Sequence, residues 1–182
     1  LTRTTLAKAY LSKRDFPNAK SNLEEIERVL GAARAGLDFD LNYQKGRFSL
    51  LTGNERAAEI HFEKALEISK RNGNKLGEAQ SLADLSIANL RLGRDELALS
   101  RISDALSIIE QLRESTPGFR NRVRFSATIQ PYYEQYITVL MEKHRLQPER
   151  RYDQRALEIS EQARARGLLD QLERRSLIDQ NP

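Results

Sequence analysis

The sequence predicts an all-α fold, a right-handed superhelix built from antiparallel helix hairpins. Small and apolar residues return every three or four positions along nearly the whole chain, which is the period of an amphipathic helix. Runs of strict alternation between apolar and polar residues, the signal of a strand, are missing from the sequence. In addition, residues 53–66 and 93–106 align with a shift of forty residues, and such self-similarity is typical of stacked repeats.

Helix-breaking residues divide the chain into about eight helices. Gly and Asn tolerate the left-handed backbone that ends a helix, and Pro17 suits the first turn of the next one. The breaks lie at residues 14–17, 31–36, 53–54, 72–74, 93–95, 116–118 and 146–148. The helices between them pair into hairpins, at residues 6–30, at residues 40–51 with 55–70, and at residues 76–92 with 95–113. We expect three regular pairs over residues 1–119 and an irregular fourth pair over residues 120–182.

A repeated order of small and large side chains explains why the hairpins stack. The second helix of each pair has a small residue followed, one turn later, by a bulkier one: Ala19 and Leu23, Ala58 and Phe62, Ala98 and Ile102. The small residue lets the two helices of a hairpin approach, and the large residue fills the space beside it. Because one hairpin cannot bury both of its faces, such units occur in arrays of three or more.

The fourth pair departs from this order. Pro131 lies inside a helical stretch of about residues 120–146, so either a helix begins there or one long helix bends. We favour the kinked long helix. Tyr132, Tyr133 and Tyr136 then form an aromatic patch, which we expect in the core.

The last helix has an apolar face, formed by Leu168, Leu169 and Leu172. A solenoid normally ends with a polar capping helix. The chain opens with Leu1 rather than Met, and we expect it to be a segment of a longer protein. We therefore expect this terminal helix to have lost a packing partner and to support a dimer.

The order of small and large residues resembles that of the tetratricopeptide repeat, whose first helix also carries Leu-Gly and Tyr at set positions. Leu6, Ala7 and Tyr10 match that first helix in the first pair, and Gly46 and Ser49 match it in the second. The period of 39 to 40 residues exceeds the family's usual length of about 34. The resemblance implies a non-catalytic scaffold that binds a peptide or a partner protein in a concave groove.

The same resemblance implies which residues line that groove. Tyr43 and Arg47, one helical turn apart, offer an aromatic ring and a bidentate donor, the residue types that dominate binding hot spots. The predicted partner-binding residues are Lys8, Asp40, Tyr43, Arg47, Gln80, Ile87 and Arg91.

The stretch "PYYEQYITVLMEKHRLQPERRYDQRALEISEQARARGLLDQL", residues 131–172, resembles the final helices before the peptidase-like domain of bacterial CHAT proteins. These caspase-related proteins carry tetratricopeptide repeats ahead of that domain. The resemblance implies that a CHAT domain follows in the parent chain and holds the catalytic His and Cys. The present residues would then recruit substrates or regulate that domain.

Composition argues against chemistry within the segment itself. The chain has no cysteine, which excludes a thiolate zinc site and a cysteine nucleophile. Its two histidines, His61 and His144, lack the spacing that places two metal ligands on one helical face. We predict no enzymatic activity, no cofactor and no metal.

The net charge of +4 comes from an arginine excess and raises an alternative, a nucleic-acid-binding helical array. The arginines are dense at residues 120–124, 145–155 and 164–175, but Asp and Glu are mixed among them and no ladder of aromatic residues accompanies them. We therefore favour solvated helix faces with ion pairs between successive turns. No window approaches the roughly 18 apolar residues of a membrane span. We expect a cytoplasmic location and no membrane partner.

Overall fold

The computed structural model describes residues 2–31, 34, 38–116 and 119–179. Within these ranges it contains eight α-helices and no strand, which confirms the all-α prediction. A single 3₁₀ turn, Pro148–Arg150, lies between the last two helices. The helices are α1 (Arg3–Ser12), α2 (Phe16–Leu30), α3 (Phe39–Leu51), α4 (Glu55–Arg71), α5 (Lys75–Arg91), α6 (Asp95–Ser115), α7 (Phe119–Leu146) and α8 (Tyr152–Asp179).

The helices form four hairpins that stack in chain order. Helices α1 and α2, α3 and α4, α5 and α6, and α7 and α8 pack as antiparallel pairs, and α4 and α6 each pack on the first helix of the next pair. The first helices of successive pairs also contact one another, from α1 to α3, to α5 and to α7. The result is an all-α helical repeat solenoid. Its right-handed sense stays a prediction.

One turn geometry joins the two helices of a pair. The chain leaves α3 through Gly53, whose φ of +77° is a left-handed conformation that suits glycine. The N–H of Asn54 then donates to the carbonyl oxygen of Ser49 at 2.8 Å, and its side chain caps α4 by accepting from the N–H of Ala57 at 3.1 Å. The turn at residues 92–94 inside the third pair and the turn at residues 72–74 between two pairs have the same backbone bond, so these breakers in the sequence mark real helix ends.

The repeated small and large residues occupy equivalent buried positions. Ala58 and Ala98 have no exposed surface, and neither do Phe62 and Ile102 one turn later. A Cβ atom placed on Gly46 would lie 2.5 Å from the ring of Phe62, so α3 and α4 approach more closely there than any side chain permits. The packing explanation for the repeat is therefore confirmed.

The fourth pair contains a single long helix, as predicted. Helix α7 continues through Pro131, and whether it bends there stays a prediction. Tyr132, Tyr133 and Tyr136 are all less than a tenth exposed and belong to the main core, as expected. On α8, by contrast, Leu168, Leu169 and Leu172 are more than half exposed, which is the predicted open apolar face.

None of the helices described is both long enough and apolar enough to cross a lipid bilayer.

Candidate functional site

The candidate site lies on the wall that α1, α3, α5 and α7 form together, called here the odd-helix wall. All seven sequence-predicted partner-binding residues belong to three of these helices. Because helices α1, α3 and α5 contact one another in sequence, side chains separated by about forty residues in the chain become neighbours.

Five of the seven predicted residues line one cavity of about 290 Å³, the polar cavity. Lys8 comes from α1, Asp40, Tyr43 and Arg47 come from α3, and Gln80 comes from α5. The remaining lining residues are Thr2, Thr4, Thr5, Phe39 and Gln44. The structure thus brings these five residues together, while their role in binding stays a prediction.

Tyr43 and Arg47 flank a buried carboxylate that the sequence did not single out. Tyr43 and Arg47 of α3 both interact electrostatically with Asp84 of α5. Burial raises the pKa of Asp84, and the interaction with Tyr43 and the charge of Arg47 only partly offset that shift. Burial, followed by the Asp84 charge, also raises the pKa of Tyr43, so its hydroxyl stays protonated.

Two polar atoms near this cavity lack partners among the described residues. They are Oε1 of Gln44, a side chain only 6 % exposed, and Oδ2 of Asp84. A buried polar atom without a hydrogen bond costs roughly 1–3 kcal/mol. Burial and the neighbouring Asp38 also raise the pKa of Asp40, while Lys8 lowers it. Both unpartnered atoms are buried, and the polar groups that line the cavity itself belong to side chains such as Lys8, Arg47 and Gln80.

The two other predicted residues, Ile87 and Arg91, lie on a separate cavity of about 740 Å³ between α5 and α7, the apolar cavity. Part of the hydrogen-bonding capacity of Arg91 is already used within the protein. Its Nη1 donates to the carbonyl oxygen of Leu50 at 2.9 Å and lies 3.7 Å from Glu55. The remaining lining residues are Leu90, Gly93, Asp95, Gln135, Thr138, Val139, Glu142, Arg145 and Leu146.

Sequence reasoning missed Gln44, Asp84 and the α7 side of the apolar cavity. A usable signal existed for Asp84, because it lies four residues after Gln80 and three before Ile87, on the same helical face. No such signal existed for Thr138 and Val139, because the fourth pair does not align with the repeat.

Three of the arginines that raised the nucleic-acid alternative lie beside carboxylates, while the side chains of residues 120–124 lie outside those described. Arg145 lies 3.0 Å from Glu142, and Arg150 lies 3.9 Å from Glu96. Arg166 reaches Glu110 at 3.2 Å. These three pairs are of the kind expected from the sequence, whereas Arg155 instead donates to the hydroxyl of Tyr136 at 2.6 Å.

The two histidines lie apart from both cavities. His61 is half-buried, and burial, followed by the charges of Lys45 and Lys64, lowers its pKa. His144 lies 3.5 Å from Asp153 at the junction of α7 and α8. The residues described contain no group of three or more His, Cys, Asp or Glu placed to hold a metal ion.

Comparison with protein families identifies the repeat. Residues 39–111 match the family model of the tetratricopeptide repeat. The match extends over α3, α4, α5 and most of α6 and covers less than half of the 182 residues. No curated protein matches the chain. The middle of the array is therefore a tetratricopeptide-repeat region, a class that generally mediates protein–protein interaction.

Proposed function

We propose that this chain is a non-catalytic protein-interaction module that holds a peptide or a partner protein on the odd-helix wall. One observation carries the proposal: five predicted binding residues from α1, α3 and α5 converge on one open polar cavity within or beside the tetratricopeptide-repeat region. Arg47 and Tyr43 supply the anchors. Arg47 is half-buried and forms no ion pair with a described residue, so its guanidinium has donors available for an acceptor on the partner.

A display experiment tests this function. A library of random peptides about twelve residues long is selected on the immobilised chain, and the enriched peptides are then measured against variants. We expect Arg47→Ala to weaken their binding about tenfold or more, as for other buried interface arginines. Arg56→Ala is the matched control, because Arg56 is exposed on α4 and lines neither cavity. Equal binding to both variants would contradict the proposal.

The nucleic-acid alternative has a separate readout. A module that binds proteins through a few anchors should pass a heparin column with weak retention that varies little with salt. Strong retention that falls steeply as salt rises would indicate neutralised phosphates instead, and it would overturn the present assignment.

The wider role we propose is recruitment of substrates, or regulation, for a CHAT peptidase-like domain that follows in a bacterial, cytoplasmic parent protein. The resemblance of residues 131–172 to the helices that precede such domains supports this role. The parent gene tests it directly: the codons after Pro182 should encode a caspase-like α/β pattern with a His and a later Cys. A different domain there would refute the link.

We also propose that the exposed leucines of α8 form a dimer contact in the isolated chain. Leu168, Leu169 and Leu172 are 60 %, 54 % and 61 % exposed on one helix. Light scattering should show a dimer whose population rises with concentration, and Leu168→Glu should abolish it. A strict monomer at high concentration would remove this proposal and leave the binding function untouched.

A further inference from the structure

We propose that the apolar cavity between α5 and α7 is a second subsite, which takes one bulky aliphatic or aromatic side chain of the partner segment bound at the polar cavity. The proposal deepens the proposed function and rests on it, because it assumes that a peptide segment lies along the odd-helix wall. It also assigns a binding role to the irregular fourth pair, which lies beyond the residues that match the repeat family.

The lining of this cavity fits an apolar side chain. Ile87 and Leu90 of α5 face Val139 and Leu146 of α7 across it. Leu146 is 53 % exposed, so an apolar group seated here would remove its surface from water. The volume of about 740 Å³ lies within the usual range of ligand pockets and exceeds the needs of a methyl-sized group.

The charges around the cavity favour a neutral occupant. Arg145 is paired with Glu142 on α7 at 3.0 Å, and Arg91 is held by Leu50 and Glu55. Two basic residues and two acidic ones, the second being Asp95, therefore share the rim without an excess of either sign. A charged side chain would gain little here and would lose hydration, whereas an apolar one gains from burial.

The cavity is preformed, because a polar clamp joins its two walls. Nε2 of Gln135 on α7 donates to the carbonyl oxygen of Ala83 and to Oγ of Ser86 at 2.7 Å, both on α5. Val139, one turn further along α7, is 1 % exposed and forms part of the floor. Helices fixed in this way need no rearrangement to admit a side chain, which lowers the entropic cost of binding.

The spacing of the two cavities indicates a peptide rather than two separate ligands. Helix α5 lines both cavities, through Gln80 at one and Ile87 at the other. Seven residues of α-helix correspond to about 10 Å along the axis. An extended chain covers that distance in about three or four residues. We therefore infer a segment of another protein whose bulky apolar residue lies three or four positions from a polar group seated beside Arg47.

Two substitutions on α7 test the subsite with the peptides enriched by display. Thr138→Trp introduces an indole that occupies part of the cavity from an exposed position, and Leu146→Lys places a charge on its lining. We expect each to weaken binding about tenfold. Met141→Lys is the matched control, because Met141 is 44 % exposed on the same helix and lies outside the cavity. We expect it to leave affinity within about twofold.

The sequences of the enriched peptides give a second readout. They should share one bulky apolar residue, and its replacement by Ala should reproduce the loss seen with Thr138→Trp. The chain has no tryptophan of its own, so the fluorescence of the Thr138→Trp variant reports whether the introduced indole is buried in the folded protein. A blue-shifted emission therefore shows that the introduced indole is buried before binding is measured.

The outcomes separate this proposal from the one it rests on. If Arg47→Ala weakens the peptides and Thr138→Trp does not, the odd-helix wall still binds and the apolar subsite is wrong. If neither variant has an effect, or if no peptide is enriched, both proposals fall. If α7 variants change only the concentration dependence of light scattering, the occupant is a second copy of this chain, which also overturns the proposal.

Discussion

The middle of the array and its last pair share one apolar core, but only the middle packs in a repeated pattern. Between α3 and α6, small and large apolar side chains interlock, and Ala58, Phe62 and Ala65 have no exposed surface at all. The pair α7 and α8 joins the same apolar core, through residues such as Tyr136 and Leu140, and adds bonds between polar and charged side chains that the repeat does not predict. The comparison teaches that a repeated interface is specified by a recurring shape, whereas an irregular one also uses directional bonds to select a single docked position.

Lys143 of α7 is the clearest of these bonds. Its Nζ donates to Glu96 of α6 and lies 4.8 Å from the ring centroid of Tyr152. The lysine side chain is 1 % exposed and that of Glu96 is 74 % exposed. Burial lowers the pKa of Lys143, but its hydrogen bond to Glu96 and its interaction with Tyr152 outweigh burial and leave that pKa raised. The bond from Lys143 lowers the pKa of Glu96.

Glu110 of α6 gathers a second set of polar contacts. The hydroxyl of Tyr133 on α7 donates to it at 2.7 Å, and Arg166 on α8 lies 3.2 Å from it. Burial, and then the bond to Glu110, raises the pKa of Tyr133 to about 12. The carboxylate of Glu110 thus links both helices of the fourth pair to the third pair.

The largest expected effect tests the apolar interlock. Phe62→Ala should lower the free energy of unfolding by about 3–5 kcal/mol, because it opens a cavity among fully buried side chains. Urea denaturation measures the loss. Ile60→Ala, on the same helix at a position 57 % exposed, should change stability by less than about 0.5 kcal/mol. Similar losses for the two variants would show that Phe62 does not hold the middle repeats together.

The close approach of α3 and α4 gives the next effect. Gly46→Ala should cost about 1–3 kcal/mol, because the new methyl group meets the ring of Phe62. Gly167→Ala on α8 is the control: no atom lies within 4 Å of its Cβ position, so the better helix propensity of alanine should stabilise the chain by up to about 1 kcal/mol. If Gly46→Ala and Gly167→Ala shifted the unfolding temperature in the same direction, the close packing of α3 against α4 would be contradicted.

Removing either partner of the bond between Lys143 and Glu96 should lower stability, but by unequal amounts. Glu96→Gln should cost about 1–2 kcal/mol, because it leaves a buried ammonium poorly paired, whereas Lys143→Met frees an exposed carboxylate that water hydrates. Hydrogen exchange in α7 and α8 measures both losses separately from the middle repeats.

The same bond has a signature in pH. Because the pKa of Glu96 is lowered in the folded state, its full contribution to the free energy of unfolding is present above the ordinary pKa of 4.5. That contribution is lost as pH falls through the lower pKa of the folded state. Because the pKa of Lys143 is raised in the folded state, its full contribution to the free energy of unfolding is present below the ordinary pKa of 10.5. That contribution is lost as pH rises through the higher pKa of the folded state. A larger cost for Lys143→Met than for Glu96→Gln at pH 7 would refute the asymmetry.

The smallest expected effect concerns Asp84, which lies between the two regions. Its raised pKa means that the folded state binds this proton more tightly than the unfolded state, so stability falls as pH rises through the folded value. Asp84→Asn should therefore raise the free energy of unfolding at pH 7 by about 1 kcal/mol and have little effect well below the ordinary pKa of 3.8.

Denaturation of both proteins at pH 7 and at acidic pH measures this difference. The exposed Asp104→Asn serves as the control, since its carboxylate is hydrated in both states. A destabilised Asp84→Asn at pH 7 would show that the attraction of Arg47 outweighs the cost of burial.

The sequence predicted a structural feature well when the residues that cause it lie close to it in the chain. The ends of α3, α4 and α5 came within a residue or two, because Gly53 and Asn54 act on their own turn. Five of the predicted groove residues line one cavity, because the repeat sets their spacing, and their role in binding stays a prediction. The burial of Asp84 escaped prediction, because Tyr43 and Tyr132 come from helices more than forty residues away in the chain.

The sequence by itself determined the helices, their pairing and the face by which each hairpin stacks, since caps and helical period act over a few residues. Only the tertiary structure decided how α7 docks on α5, and with it the walls of the apolar cavity. The reason is physical: the fourth pair lacks the repeated pattern, so its position follows from bonds such as Gln135 to Ser86 and Tyr133 to Glu110. Those bonds form only when distant helices meet at one particular distance and angle.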